Sequence, residues 1–436
     1  MRPLLLATAL AGALAGGCRR AEPDAEPPTT SPEPTTSPEE GSAPLERTAE
    51  PDDGSPSSAS TSSAGADAAT AETRAPPAPT PADEETLVEV EDALRALVYE
   101  GATEDGFPWA LAHGLLAFGA ELKTDAGRSA VDAIAATAEA SPGDDGPRYR
   151  FPEVTAAGLP LEPHPDLMVK TLLSVGVPLD RRLTTADGSE VTLARLVEDA
   201  RERFEPPNPG GWDRFPWSAE TFLMACEASA PKSCPSIPTS SGPLGLDALA
   251  EGALTRLEQE QAFLVPALER DAPGMVQKRK QGIFAYTCGG LHLAQAALRG
   301  AARLDEKVRR RARRQLDLLR FRWRAERRIY RKTIRDNPDY APLLLVQELK
   351  FFGHLLETWA LAHRWGLLEA DPRERAFFGQ VAADLARTVQ QLQPIYAARD
   401  EIRRIRAQTY NDLIGDGCHA IHGLKEGRRA FFGGPN

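Results

Sequence analysis

From Thr86 onward, apolar residues recur every three or four positions through most of the chain. Leu87, Val90, Leu94 and Val98 form one such series. Val131, Ile134 and Ala138 form another, and Leu193, Leu196 and Val197 a third. The same spacing runs through 246–268, 283–302, 304–334, 342–368 and 376–392. It predicts amphipathic helices, because three- and four-residue steps keep one face of a 3.6-residue helix apolar. Strand signals are scarce. The clearest is RRLTTADGSEVTL, where Asp187-Gly188 predicts a tight turn between two short alternating runs. Connections are punctuated by Pro and Gly, as in SPGDDGP, EPPNPGGW and PTSSGPLG.

The helices fall into two kinds. WALAHGLLAFG (109–119), YTCGGLHLAQA (286–296), FFGHLLETWALA (351–362) and DGCHAIHGL (416–424) combine Gly, His and aliphatic residues with few charges. Those between them are rich in Arg and Glu and apolar on one stripe only. Nearly all-apolar helices alternating with amphipathic ones predict an inner ring wrapped by an outer ring. The expected fold is therefore mostly all-α, an α/α-toroid-like domain over 86–436 with one small β-hairpin, preceded by a disordered linker. The ordered segments HPDLMVKTLLSVGVPL, EVTLARLVEDA, FPWSAETFLMA, TCGGLHLAQA, GHLLETWALA and GCHAIHGL resemble an uncharacterised family of exported bacterial lipoproteins with toroid-like helical repeats. The resemblance implies export and architecture, and no activity. The DxDD motif and the Q-x-x-x-G-x-W repeat of toroidal terpene cyclases and prenyltransferases do not occur in the chain.

Composition changes sharply before Thr86. Residues 1–18, MRPLLLATALAGALAGGC, have the positive start, short apolar stretch and small-residue end of an export signal. The stretch is too short to span a bilayer, and Leu14-Ala15-Gly16-Gly17-Cys18 resembles a lipobox that would make Cys18 the lipidated residue. Residues 19–85 are Pro, Ser, Thr, Ala and acid, too poor in apolar groups to offset ordering entropy, and are expected to form a disordered acidic tether. That segment holds 15 acids and 4 Arg, a net charge of −11 out of −12 for the chain. With Arg2 in the signal, 86–436 carries only −2, so the acidity belongs to the tether. The expected location is the bacterial cell envelope, lipid-anchored, with the domain outside the cytoplasm. Arg19 after Cys18, in place of a retention aspartate, favours the outer membrane. The expected partners are the membrane through the lipid and an envelope glycan, lipid headgroup or protein. Nucleic acid is not among them.

Candidate chemistry is concentrated on the apolar helices. With Cys18 lipidated, Cys226, Cys234, Cys288 and Cys418 remain, and in an exported chain they predict two disulfides, Cys226–Cys234 and Cys288–Cys418. The competing arrangement is a Cys2His2 metal site. Cys288 and His292 are four apart, as are Cys418 and His422, so each pair would share a helical face. The disulfide is preferred, and no cofactor is expected. His354 and Glu357, three apart, could form an imidazole–carboxylate unit, and Asp412, Asp416 and His419 complete a set of weak catalytic candidates. Asp412 and Asp416 stand ahead of GCHAIHGL, where aspartates also cap helices, as do Glu100 and Asp105 beside Trp109. His113 also falls on an apolar helix.

Residues 306–336 hold fourteen Lys or Arg around a stripe of Val308, Ala312, Leu316, Leu319, Trp323 and Tyr330, which predicts a long outer helix with a solvated cationic face. Two function classes fit these features. The first is a lipid-anchored binding or scaffold module, and the alternative is an envelope glycan-active hydrolase or lyase. They part on one geometric question: whether His354, Glu357, Asp412, Asp416, His419 and His422 converge on one open cleft, since scattered or sealed positions would favour the binding or structural reading.

Overall fold

The computed structural model describes residues 78–434 except 144–145, 157, 208–210 and 230–233. Residues 1–77, which carry the expected signal, Cys18 and most of the tether, lie outside the described residues. The first helix, α1 (Glu84–Ala102), starts two residues earlier than the apolar pattern suggests. Asp83 caps it by accepting from the Thr86 amide, and the Ala82 amide donates to the Gly379 carbonyl, so the segment just ahead is already part of the domain.

Among the described residues, six helices close a ring, each packed on the next: α2 (Pro108–Phe118), α4 (Leu167–Ser174), α6 (Pro216–Ser229), α9 (Leu291–Ala301), α11 (Ala341–Arg364) and α14 (Ala407–Phe432), the last returning to α2. A second set alternates with them along the chain and lies outside. It comprises α1, α3 (Ala130–Ala135), α5 (Leu193–Arg203), α7 (Leu246–Gln261), α10 (Glu306–Asp336) and α12 (Pro372–Ala397). Short helices α8 (Val265–Glu269) and α13 (Arg399–Ile405) serve as connectors. The fold is thus an α/α toroid, and the predicted alternation of helix types is its inner and outer ring.

Inner helices run in one direction. On α11 and α14, Lys350 meets Asp412, Gly353 meets Ala420, Glu357 meets Gly423 and Arg364 meets Glu426, both sequences ascending together. On α2 and α14 the order is Trp109 with Gly415, His113 with His419, and Ala117 with Lys425. Outer α1 runs against α14, with Gly101 at Ile414, Val98 at Gly417 and Glu91 at Arg428. Parallel inner helices bring equivalent turns to the same height on the axis.

Glycine permits the closest approaches. A Cβ on Gly423 would lie 2.6 Å from the Glu357 amide nitrogen, and one on Gly415 would lie 2.5 Å from the Trp109 ring. These glycines sit inside a continuous 26-residue helix. By sequence, Asp412 and Asp416 stand ahead of a helix at GCHAIHGL, but the helix starts at Ala407. Asp412 and Asp416 are therefore interior positions and not caps, which corrects the capping expectation for both.

The β content is small. β3 (Arg182–Thr184) pairs with β4 (Glu190–Thr192), the hairpin expected at Asp187-Gly188, with Gly188 at φ +83°. A second hairpin, β1 (Glu139–Ser141) with β2 (Arg148–Arg150), surrounds the SPGDDGP stretch and had no alternating pattern to announce it.

The basic helix α10 is not a solvated cationic face. Arg311 reaches Glu258 on α7 at 2.7 Å, Arg320 reaches Glu374 on α12 at 2.6 Å, and Arg331 reaches Asp384 on α12 at 2.7 Å. Arg322 is fully buried against Glu326 at 2.5 Å, and Lys278 and Tyr330 approach the other Glu326 oxygen. Its cations are largely used within the domain, tying α10 to its neighbours.

Two stability predictions follow from this packing. Gly423→Ala should destabilise the domain by about 1–3 kcal/mol through overpacking against α11, despite the roughly 1 kcal/mol that alanine gains in helix propensity. Gly252→Ala on α7, whose Cβ would meet Trp212 at an ordinary 3.5 Å, should leave the melting temperature unchanged or raised. Thermal melts of the two variants check the contrast, and equal shifts would refute it. The second prediction concerns Glu326. Burial favours its neutral form, but Arg322 and Lys278 outweigh that and hold its pKa at about 2, against an ordinary 4.5. A depressed folded-state pKa stabilises above the unfolded value and is lost as pH falls towards the folded one, here about 3 kcal/mol between about pH 4.5 and 2. Denaturant titrations should show a shallower loss of stability across that window in Glu326→Gln than in the parent. Identical slopes would mean the pair does not carry the acid sensitivity.

Candidate functional site

Every inner helix sends a polar or ionisable side chain to the axis. α11 supplies Lys350, His354, Glu357 and Thr358, and α14 supplies Asp412, Asp416, His419 and His422. α9 adds His292 and Gln295, α2 adds His113, α4 adds Lys170, and α6 adds Trp217 and Glu220. Such groups are expensive to bury without partners, so their convergence in an otherwise aliphatic core calls for a chemical reason.

Glu357 is the hub. Only 3 % exposed, it accepts from His419 Nδ1 at 2.9 Å on one oxygen and from His422 Nδ1 at 2.7 Å on the other. Gln295 Nε2 donates to it at 2.9 Å and also to Thr358 Oγ1 at 3.2 Å. Nδ1–H donation fixes the tautomer of both histidines and leaves each Nε2 as the basic nitrogen. Burial opposes the charge on Glu357, but its histidine contacts prevail and hold the carboxyl well below the usual range. Burial, aided by His354 and His113, pushes His419 down to about 3 despite Glu357, so the imidazole is neutral at ordinary pH. His113 follows the same logic at about 4, with Nδ1 donating to the Trp109 carbonyl at 2.7 Å.

His354, fully buried, sits at the centre. Its ring lies 4.0 Å from that of His419 and 4.8 Å from that of His292, centroid to centroid. Nδ1 is 3.5 Å from Glu357 and Nε2 is 3.4 Å from Asp416, yet neither nitrogen makes a hydrogen bond. Burial disfavours a charge on this ring, but Cys288, Asp416 and Glu357 around it push its pKa well above the ordinary value. Asp416 and Asp412 share Lys350, at 3.7 Å and 3.1 Å. On the far side Lys170 pairs with Glu220 at 3.1 Å, and Trp217 stacks on His164 at 3.8 Å and lies tilted against His292 at 4.6 Å.

Cys288 enters from the turn before α9. It holds a left-handed backbone at φ +50°, followed by Gly289 at +61° and Gly290 at +73°. A left-handed cysteine costs on the order of 1–3 kcal/mol and persists only where its surroundings enforce it. Two buried or half-buried groups do so. Arg322 donates to the Gly289 carbonyl at 2.6 Å, and Asp213 accepts from the Thr287 amide at 2.6 Å and from its hydroxyl at 3.0 Å. The turn thus holds the half-buried Cys288 thiol beside His354.

Several sequence expectations are corrected here. Cys226–Cys234 is a disulfide as expected, but Cys288 and Cys418 are free thiols. Cys418 lies two residues beyond Asp416, about 200° round the helix. It therefore faces away from the axis, towards Tyr396 of α12, in full burial that raises its pKa. The Cys2His2 set of Cys288, His292, Cys418 and His422 fails for the same reason. Two groups with metal-ligand atoms mutually within 4.8 Å do form among the described residues: Cys288, His292 and His354, and His354, Glu357 and His419. Glu100 and Asp105 are used elsewhere, by Arg399 and Arg128 respectively. The candidates His354, Glu357, Asp412, Asp416 and His419 do meet, but not in an open cleft: His354, Glu357, Asp416 and His419 are buried, and only Asp412 and His422 are half-buried. Lys350, Gln295, Lys170 and Glu220 were missed. A polar residue in an apolar helix was the only available signal for Gln295.

In the native chain in the presence of a chelator, an alkylating reagent should label Cys288 and leave Cys418 unmodified until the protein is denatured. Peptide mapping should recover Cys226 linked to Cys234. A Cys288–Cys418 crosslink would contradict this arrangement.

No protein-family model, no curated protein and no solved structure matches this chain. The site's chemistry therefore has to be argued from its own geometry.

Proposed function

We propose that the helical domain is an enzyme of the hydrolase or lyase class, acting on an envelope glycan, and that the axial cluster is its active site. One observation carries this reading: all six inner helices contribute ionisable or polar groups to one buried centre, where a scaffold would place aliphatic side chains. His419 and His422, each with Nδ1 tied to Glu357, offer Nε2 as a base, the arrangement by which a carboxylate orients a catalytic imidazole. Asp416 and Lys350 beside His354 supply a carboxylate and an ammonium for charge that develops in the reaction. Half-buried Trp109, tilted against His113 with ring centroids 4.1 Å apart, gives the edge of the site an aromatic face of the kind that packs against sugar rings. The lipid anchor on Cys18 and the acidic tether would hold this domain at the envelope surface, which sets the substrate class as an extracytoplasmic polymer.

The test is turnover. The full chain, incubated with peptidoglycan and with acidic and neutral envelope polysaccharides, should release new reducing ends or unsaturated uronates. His419→Gln should lower the rate by about 10²–10⁴-fold, the usual contribution of a positioned acid or base. Asp339→Asn, in the loop between α10 and α11, should leave it unchanged. Saturable binding of a glycan with no bond cleaved would overturn the enzyme and leave the binding-module alternative.

A further inference from the structure

We infer that Cys288, His292 and His354 form a three-ligand site for a transition-metal ion, zinc being the ion whose ligand chemistry they match. The inference deepens the proposed axial active site by naming its cofactor, and it rests on that site being the functional one.

The argument begins with unsatisfied groups. His292 Nδ1 and both nitrogens of His354 are buried and make no hydrogen bond with the protein, although His292 is 5 % and His354 0 % exposed. A buried imidazole nitrogen without a hydrogen bond forfeits on the order of 1–3 kcal/mol, and a single ion between the two rings would satisfy one nitrogen of each. The Cys288 thiol completes the group, with the three ligand atoms mutually within 4.8 Å. A tetrahedral ion bound at about 2.3 Å to sulfur and 2.0–2.1 Å to nitrogen would draw them together by roughly an ångström.

The second candidate group, His354 with Glu357 and His419, is less apt. Glu357 already accepts from His419, His422 and Gln295, so its oxygens are taken. Those same contacts make it an outer-shell residue. Asp416 lies 3.4 Å from His354 Nε2 and Glu357 3.5 Å from its Nδ1, so whichever nitrogen does not ligate has a carboxylate beside it, as in many metal-bound histidines.

The backbone is built for the thiol. The left-handed Cys288 and the two glycines after it are clamped by Arg322 and Asp213, an arrangement that a purely structural thiol does not require. Cys, His and His make a catalytic zinc ligand set, three protein groups with the fourth position open to water or substrate. Cys288 is the half-buried member, so the open position lies on the side from which solvent can approach. A zinc-bound water there would ionise near neutral pH and give the hydrolase its nucleophile, with the Glu357-tethered histidines as proton acceptors.

The experiment uses the full chain, stripped with chelator and reloaded with zinc or cobalt(II). The expected result is one metal per chain by elemental analysis and a thiolate-to-cobalt charge-transfer band in the near ultraviolet. Cys288→Ser should abolish the band and weaken binding by more than about a hundredfold, beyond the 10–100-fold expected of the outer-shell change Asp416→Asn. Cys418→Ser should keep both band and affinity, and circular dichroism guards against misfolding. The band in the parent protein is diagnostic even if a variant fails to fold. No stoichiometric metal, or binding by folded Cys288→Ser within tenfold of the parent, would overturn the site. The two proposals separate cleanly: turnover by metal-stripped protein defeats the metal and keeps the enzyme, and metal bound without turnover of any glycan does the reverse.

Discussion

The carboxylate of Glu357 is the constraint on which the rest of the axis depends. It is nearly fully buried, ionised, and bonded to three neighbours from two other inner helices, His419 and His422 of α14 and Gln295 of α9. Removing one partner of so buried a charge is far more costly than the net worth of the bond, which makes the set mutually dependent. The backbone has been arranged to allow it. Gly423 of α14 lies directly over the Glu357 amide, so α11 and α14 approach closely enough for two histidines one turn apart to grip one carboxylate. Fold and site are coupled at this crossing.

Outside the axis, electrostatics plays a different part. The long basic helix α10 is anchored to α7 and α12 by ion pairs, and its buried Arg322 reaches inward to the carbonyl of Gly289. The outer ring therefore acts on the inner centre through one guanidinium. It sets the turn that presents Cys288, while Asp213 holds the same turn from the other side. A charge-dense outer helix and a strained thiol turn are parts of one device.

The sequence made the architecture legible because helical periodicity survives in single segments. Four of the six inner helices stood out as apolar stretches carrying Gly and His, and the basic run was visible as an outer helix. The centre was legible only in part. His354, Glu357, Asp416 and His419 were visible as ionisable residues on apolar helices, yet which of them meet depends on helix phase and register. Cys418 shows why: a helical step of two residues turns it away from the axis and undoes both pairings that spacing suggested for it. The start of α14 misled in another way. GCHAIHGL looked like its beginning, whereas Gly415 and Gly417 lie in the middle of a helix that starts at Ala407 and make room there for Trp109 and Val98. Lys350 carried no signal at all, since its role exists only opposite Asp412 and Asp416.

The central claim is that the toroid axis is a working centre and not a polar accident of packing. X-ray absorption at the zinc edge of the reloaded full chain tests it most directly, because it reports which atoms surround the ion. The account predicts one sulfur at about 2.3 Å and two imidazole nitrogens at about 2.0–2.1 Å, with a light fourth ligand. A shell of oxygen and nitrogen alone would contradict it, showing that Cys288 does not hold the ion.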